Sequence, residues 1–107
     1  MIANTIIANS ATDILENPID GTASAYAGVG MFLCNSEASN EIINLYAVPS
    51  GQVASTDNVI IKSLTVKAGD TYEFSAEKFL LNKGESIVAS GTNGNLLRAT
   101  ITYTEIT

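Results

Sequence analysis

Two pairs of carboxylates stand at spacings that acid–base chemistry could use: Glu37 with Glu41 beside a polar loop, and Glu73 with Glu77 across Phe74-Ser75-Ala76. A glycoside-cleaving site needs two acids roughly 5–10 Å apart in a cleft. The chain, however, contains no histidine and no tryptophan. Without histidine the commonest general base, the commonest zinc ligand and the usual activator of a serine or cysteine nucleophile are all missing, so a triad is excluded. Cys34 is the single cysteine, has no CxxC partner and closes an apolar run; it reads as a small core residue rather than a reactive thiol. Oxygen ligands are plentiful in the loops, but the Asp-x-Asp-x-Asp-Gly spacing of a calcium loop is absent. Gly69 and Gly84 each stand between strands rather than ahead of a helix, so neither opens a phosphate loop. Tyr26, Tyr46, Tyr72 and Tyr103 could stack on a sugar if they shared a surface, but their scatter fits half-buried sheet packing better. No catalytic, cofactor-binding or metal-ligating residue is assigned, and the chain reads as a non-enzyme without a cofactor.

The charge pattern narrows the partners. Net charge is −6, which opposes nucleic-acid binding because counterion release needs clustered Lys and Arg. Residues 1–61 carry Asp13, Glu16, Asp20, Glu37, Glu41 and Asp57 with no Lys or Arg, so the net charge resides in the first half. Such a half is either a solvated face or a surface steered towards a basic partner. The longest apolar run, from Ala25 to Cys34, is glycine-interrupted and far short of the roughly 20 residues of a membrane helix. The expectation is a soluble protein of a reducing compartment, with no secretory signal at the N-terminus and no membrane partner.

The elements that would position any site are strands. At 107 residues the chain is expected to form one domain with a single two-layer core. The organising stretch runs from Asn58 to Glu85, three short apolar runs closed by two similar turns, Val66-Lys67-Ala68-Gly69-Asp70 and Leu81-Asn82-Lys83-Gly84-Glu85. Glycine supplies the positive φ of a sharp reversal and the following acid can bond the turn backbone, a pattern that predicts a β-meander. Ile2 to Ala8 is a first strand or an arm that joins a neighbour, giving a division into residues 1–10 and a sandwich domain over 11–107. Thr12 to Glu16 is a short strand stopped by Asn17-Pro18. Ala23 to Cys34 is a long strand with Ala27, Val29, Met31 and Leu33 on one face and Gly28, Gly30, Phe32 and Cys34 on the other, where the alternate glycines suit either close backbone approach or a bulge. Ile42 to Val48 turns Ile43, Leu45 and Ala47 inward, and Gln52 to Asn58 is read as a crossing between sheets.

In Val59 to Val66 the alternation slips, which a β-bulge near Lys62-Ser63 would explain, as would burial on both faces. Ser75 to Lys78 has room for one helical turn. Ser86 to Ser90 and Leu97 to Tyr103 complete eight to nine strands with no convincing helical period, the pattern of an all-β, antiparallel two-sheet sandwich of jelly-roll type. Its expected core comprises Val29, Met31, Leu33, Ile43, Leu45, Leu64, Val66, Phe74, Leu81, Ile101 and Tyr103. Few charges and an apolar N-terminal segment predict self-association into a homo-oligomer.

From Thr12 onward the chain resembles small β-sandwich virion structural proteins of tailed bacteriophages, marine phages among them. The resemblance rests on Ala27-Gly-Val-Gly-Met-Phe-Leu-Cys-Asn35, Ile43-Asn-Leu-Tyr-Ala-Val48, Asp57-Asn-Val-Ile-Ile-Lys-Ser-Leu64, Val66-Lys-Ala-Gly-Asp-Thr-Tyr-Glu-Phe74, Leu81-Asn-Lys-Gly-Glu-Ser-Ile87 and Ala99-Thr-Ile-Thr-Tyr-Thr-Glu-Ile106, in that order. It implies a non-enzymatic part of the particle, a capsid decoration or cement, neck or tail component, assembled in the host cytoplasm with other virion proteins as partners. The apolar Met1 to Ala8 segment lies ahead of the shared region. Composition alone also permits a free-standing carbohydrate-binding or adhesive sandwich.

Overall fold

Alternating apolar residues between turn signals fold here into strands throughout. The computed structural model describes residues 1–74, 79–94 and 97–107. Its strands are β1 (Ile2–Ile7), β2 (Thr12–Glu16), β3 (Ala25–Asn35), β4 (Glu41–Val48), β5 (Val59–Val66), β6 (Thr71–Phe74), β7 (Phe79–Asn82), β8 (Ser86–Gly91) and β9 (Leu97–Ile106). They form two antiparallel sheets packed face to face. Sheet A has the order β1-β9-β3-β6 with β7 also on β3, and sheet B the order β2-β8-β4-β5. The protein is thus an all-β, antiparallel two-sheet β-sandwich. Its pairs nest about one hairpin: β4 with β5, then β3 with β6 and β7, β2 with β8, and β1 with β9.

The core lies between the sheets. Met31 and Leu33 of β3, Ile43 and Leu45 of β4, Ile87 and Ala89 of β8, and Leu97, Ala99 and Ile101 of β9 meet there, joined by Ile7, Val66, Phe74 and Leu81. Of the expected core, Leu64 and Tyr103 are half-buried against this cluster, while Val29 is 48% exposed. The cause is a bulge. Gly28 and Gly30 pair with the consecutive residues Tyr103 and Thr102, which leaves Val29 as an extra residue and shifts the alternation by one. Tyr26 and Gly28 therefore face inward before the bulge, and Met31 and Leu33 after it. Gly28 lacks the Cβ that would lie 2.1 Å from the Phe79 ring, so the ring fills the space a side chain would need.

The bulge expected in β5 is present. Leu64 pairs with Ile43 and Ile61 with Leu45, so Lys62 and Ser63 stand opposite Asn44 alone. Ser63 takes a φ of 60° and its N–H donates to Asn44 Oδ1 at 2.9 Å.

Two other expectations change. Gly69 and Gly84 do take positive φ, 77° and 82°, and each turn closes with a bond three residues back, Asp70 N–H to Lys67 O and Glu85 N–H to Asn82 O, both 3.0 Å. The turns nevertheless connect strands of different sheets, β5 to β6 and β7 to β8, so the stretch is not a meander. Conversely, Gln52 to Asn58 stays with one sheet, because β4 and β5 are hydrogen-bonded neighbours. The Asn58 side chain knits this loop by accepting from Ser55 N–H and donating to Val53 O. The helical turn expected at Ser75 to Lys78 lies outside the described residues. The strands flanking it run end to end along β3, and the break between them falls opposite Val29 and Gly30.

Candidate functional site

The residues singled out for chemistry do not converge. Glu37 is exposed in the loop after β3, whereas Glu41, the first residue of β4, is fully buried. Glu73 is exposed on β6, and Glu77 lies outside the described residues. Cys34, expected in the core, points to the outer face of sheet A and is half-buried, because it follows the fully buried, inward-facing Leu33 in the strand. Tyr26 and Tyr103 pack on each other, rings 4.9 Å apart, on the core side of sheet A, and burial together with the nearby Glu105 carboxylate and Tyr103 pushes the Tyr26 phenol up. Tyr72 leans on Phe74 at the sandwich edge, rings 4.8 Å apart. Among the described residues no group of three or more His, Cys, Asp or Glu could hold a metal ion, and no helix is long and apolar enough to cross a membrane.

Glu41 is the group that sequence reasoning misplaced. Its Oε1 accepts from the N–H groups of Ile42 (3.0 Å), Thr92 (3.0 Å) and Asn93 (3.1 Å) and from the Thr92 hydroxyl (2.5 Å), and its Oε2 accepts from Gly94 N–H at 3.2 Å. Burial pushes this carboxyl up, but the bonds from the Thr92 side chain and from the backbone of Asn93, Ile42 and Thr92 outweigh it and hold the group below its ordinary value. A Cβ on Gly91 would sit 2.8 Å from Oε2, so glycine there makes room for the carboxylate. With five donors directed at it, Glu41 pins the turn after β8 to the start of β4. The Gly91-Thr92-Asn93-Gly94 sequence and an acid at a strand start were the only signals of this arrangement.

Asn35 does similar work one strand away. Its buried side chain donates to Ser39 O at 2.7 Å and Val66 O at 3.0 Å and accepts from Glu37 N–H at 3.1 Å. At the opposite end of the sandwich Asn17, also fully buried, donates from Nδ2 to Leu81 O at 3.0 Å, while its backbone bonds Glu85 and Gly84. Both ends of the apolar core are thus closed by buried polar side chains that hold the loops by their backbone. The loops become fixed features of the surface.

Two surfaces remain for recognition. The outer face of sheet A presents Ile2 and Ile6 of β1, Arg98, Thr100, Thr102 and Thr104 of β9, and Phe32 of β3, with Glu73 beside Phe32. Ile2 is 69% exposed and Phe32 43%, and Thr100 donates its hydroxyl to Asn4 Oδ1 at 2.6 Å across β1 and β9. The outer face of sheet B is different: the loop after β4 folds over it and shares with Asp13, Glu16, Val48 and Val88 a recess of ≈ 340 Å³. The remaining exposed acids of the first half, Asp20, Glu37 and Asp57, lie in loops. No family model matches the chain, and no curated protein or solved structure is detectably similar to it.

Proposed function

We propose that the protein is a non-enzymatic structural component of a bacteriophage particle, a capsid decoration or cement, neck or tail protein, and that it acts by protein–protein assembly. The observation that carries this reading is the outer face of sheet A, where exposed Ile2, Ile6 and Phe32 lie among Thr100, Thr102 and Thr104, with Arg98 beside Ile6 and Glu73 beside Phe32. Such a face loses little by leaving water and has hydroxyls to complete hydrogen bonds at a rim. The nested strand order of the sandwich supports a jelly-roll reading, an architecture used by viral capsid and lectin domains. The ordered resemblance to phage sandwich proteins points the same way.

In this reading many copies occupy repeated sites on the particle, form a homo-oligomer and contact other virion proteins, so that weak contacts are reinforced by avidity. The acid-bearing recess of sheet B stays outermost, because desolvating unpaired acids is costly. A free-standing carbohydrate-binding module gains no support from the tyrosines, since Tyr26 and Tyr103 pack on each other and against the core. A glycan array together with micrographs of purified particles labelled for this chain separates the two. Regular labelling without glycan binding is the expected result; glycan binding without labelling reverses the assignment.

A further inference from the structure

On the side of the sandwich where β5 faces β6 and β7, the two sheets do not close completely. A cleft of ≈ 290 Å³ opens there, lined by Met31, Leu45, Ile61, Phe74, Phe79 and Ile87 together with Ala47 and Ile60, all of them apolar. Its floor belongs to the core, since Met31 and Leu45 are only 5% and 2% exposed. The bulged β3 helps to shape one wall, because Gly28 admits the Phe79 ring where a Cβ would stand. A flat protein surface cannot reach such a floor; a narrow apolar group can. An apolar cavity of about 150 Å³ admits benzene, and small-molecule sites begin near 300 Å³. Among the described residues no charged side chain lines the cleft to meet an ionic group.

We infer that this cleft is a binding site for a compact, uncharged apolar molecule about the size of two fused aromatic rings. The ligand enters between β5 and the β6–β7 edge and contacts both sheets at once. Ala47, which faces the cleft from β4, leaves part of the space that the ligand fills. The site depends on the sandwich alone and is independent of the assembly reading.

The test is a titration of the full chain with the neutral two-ring probe naphthalene, followed by its own fluorescence, with bound positions mapped by methyl chemical shifts. Saturable one-site binding that shifts Met31, Leu45, Ile61 and Ile87 is expected. Ala47→Phe should weaken it at least about tenfold, the least factor expected for loss of a methylene-sized contact, while Val53→Ala, in the exposed loop after β4, leaves it unchanged. If Ala47→Phe does not fold, Ala47→Leu is read in the same way. Absence of saturation, shifts outside the cleft, full binding by a folded filled variant, or a stoichiometry that varies with protein concentration as at a self-association interface would each overturn the site.

Discussion

The Thr92 hydroxyl donates to the Glu41 carboxylate at 2.5 Å, across a sequence separation of 51 residues. The contact joins the start of β4 to the turn that leads from β8 towards β9, and the backbone N–H groups of Thr92, Asn93 and Gly94 converge on the same carboxylate. A buried charge with this many donors is stabilising only while all of them are in place.

Replacing Glu41 by Gln keeps the shape but points an amide NH₂ at donors, leaving at least one buried N–H unsatisfied at a cost of about 1–3 kcal/mol. Chemical denaturation at neutral pH should show that loss. The pH dependence has a definite sign. Because the folded-state pKa is depressed, the carboxylate's contribution is complete above the ordinary glutamate value and is lost as pH falls through the lower folded-state value. Acid titration of the wild type should therefore show a stability decrement that Glu41→Gln lacks, and parallel curves would contradict the assignment.

The bulge in β3 makes neighbouring residues unequal. Met31→Ala and Leu45→Ala remove core side chains and should each cost about 2–5 kcal/mol. Val29→Ala, at the exposed bulge, should stay within about 0.5 kcal/mol of wild type. Equilibrium unfolding of the three variants checks the shifted alternation directly, and a large loss at Val29 would restore the unbulged strand.

Gly69 and Gly84 share a turn conformation but not an environment. Alanine at either adopts a left-handed backbone at a cost of about 1–2 kcal/mol. A Cβ at Gly69 meets nothing within 4 Å, whereas one at Gly84 would lie 2.3 Å from Ser50 Oγ. Gly84→Ala should accordingly lower the melting temperature more than Gly69→Ala, and Ser50→Gly should recover part of the difference.

Much of this fold was legible because alternation, turn glycines and the proline after Asn17 act locally. The slip in Val59 to Val66 marked a bulge correctly, since Leu64 and Ile61 could not share a face without one. Val29 misled because Gly28 and Gly30 flank it and carry no side chain to reveal the change of phase. Which sheet a strand joins is decided by distant pairing, so the two similar turns looked like hairpins when they are crossings. Glu41 was hidden for the same reason. Its donors are remote in sequence, and an acid beside a polar loop looks solvated until the turn at Thr92 closes over it.

The outer face of sheet A gives the assembly reading a point of attack. Phe32→Lys adds a charge at an exposed position, so it should change stability by no more than about 0.5 kcal/mol. It should nevertheless reduce self-association in sedimentation and incorporation into particles. Deleting residues 1–8 is a poorer probe, because β1 pairs with β9 of its own chain and Ile7 is fully buried. A folded Phe32→Lys protein that assembles normally would remove this face from the interface.

Quantitative mass spectrometry of purified virions, from the phage proposed here to encode the chain, tests the central proposal most directly. The account predicts this protein at many copies per particle, in a fixed ratio to a symmetric virion component, and retained through density-gradient purification. Its absence from particles that otherwise contain their full set of structural proteins would contradict the account.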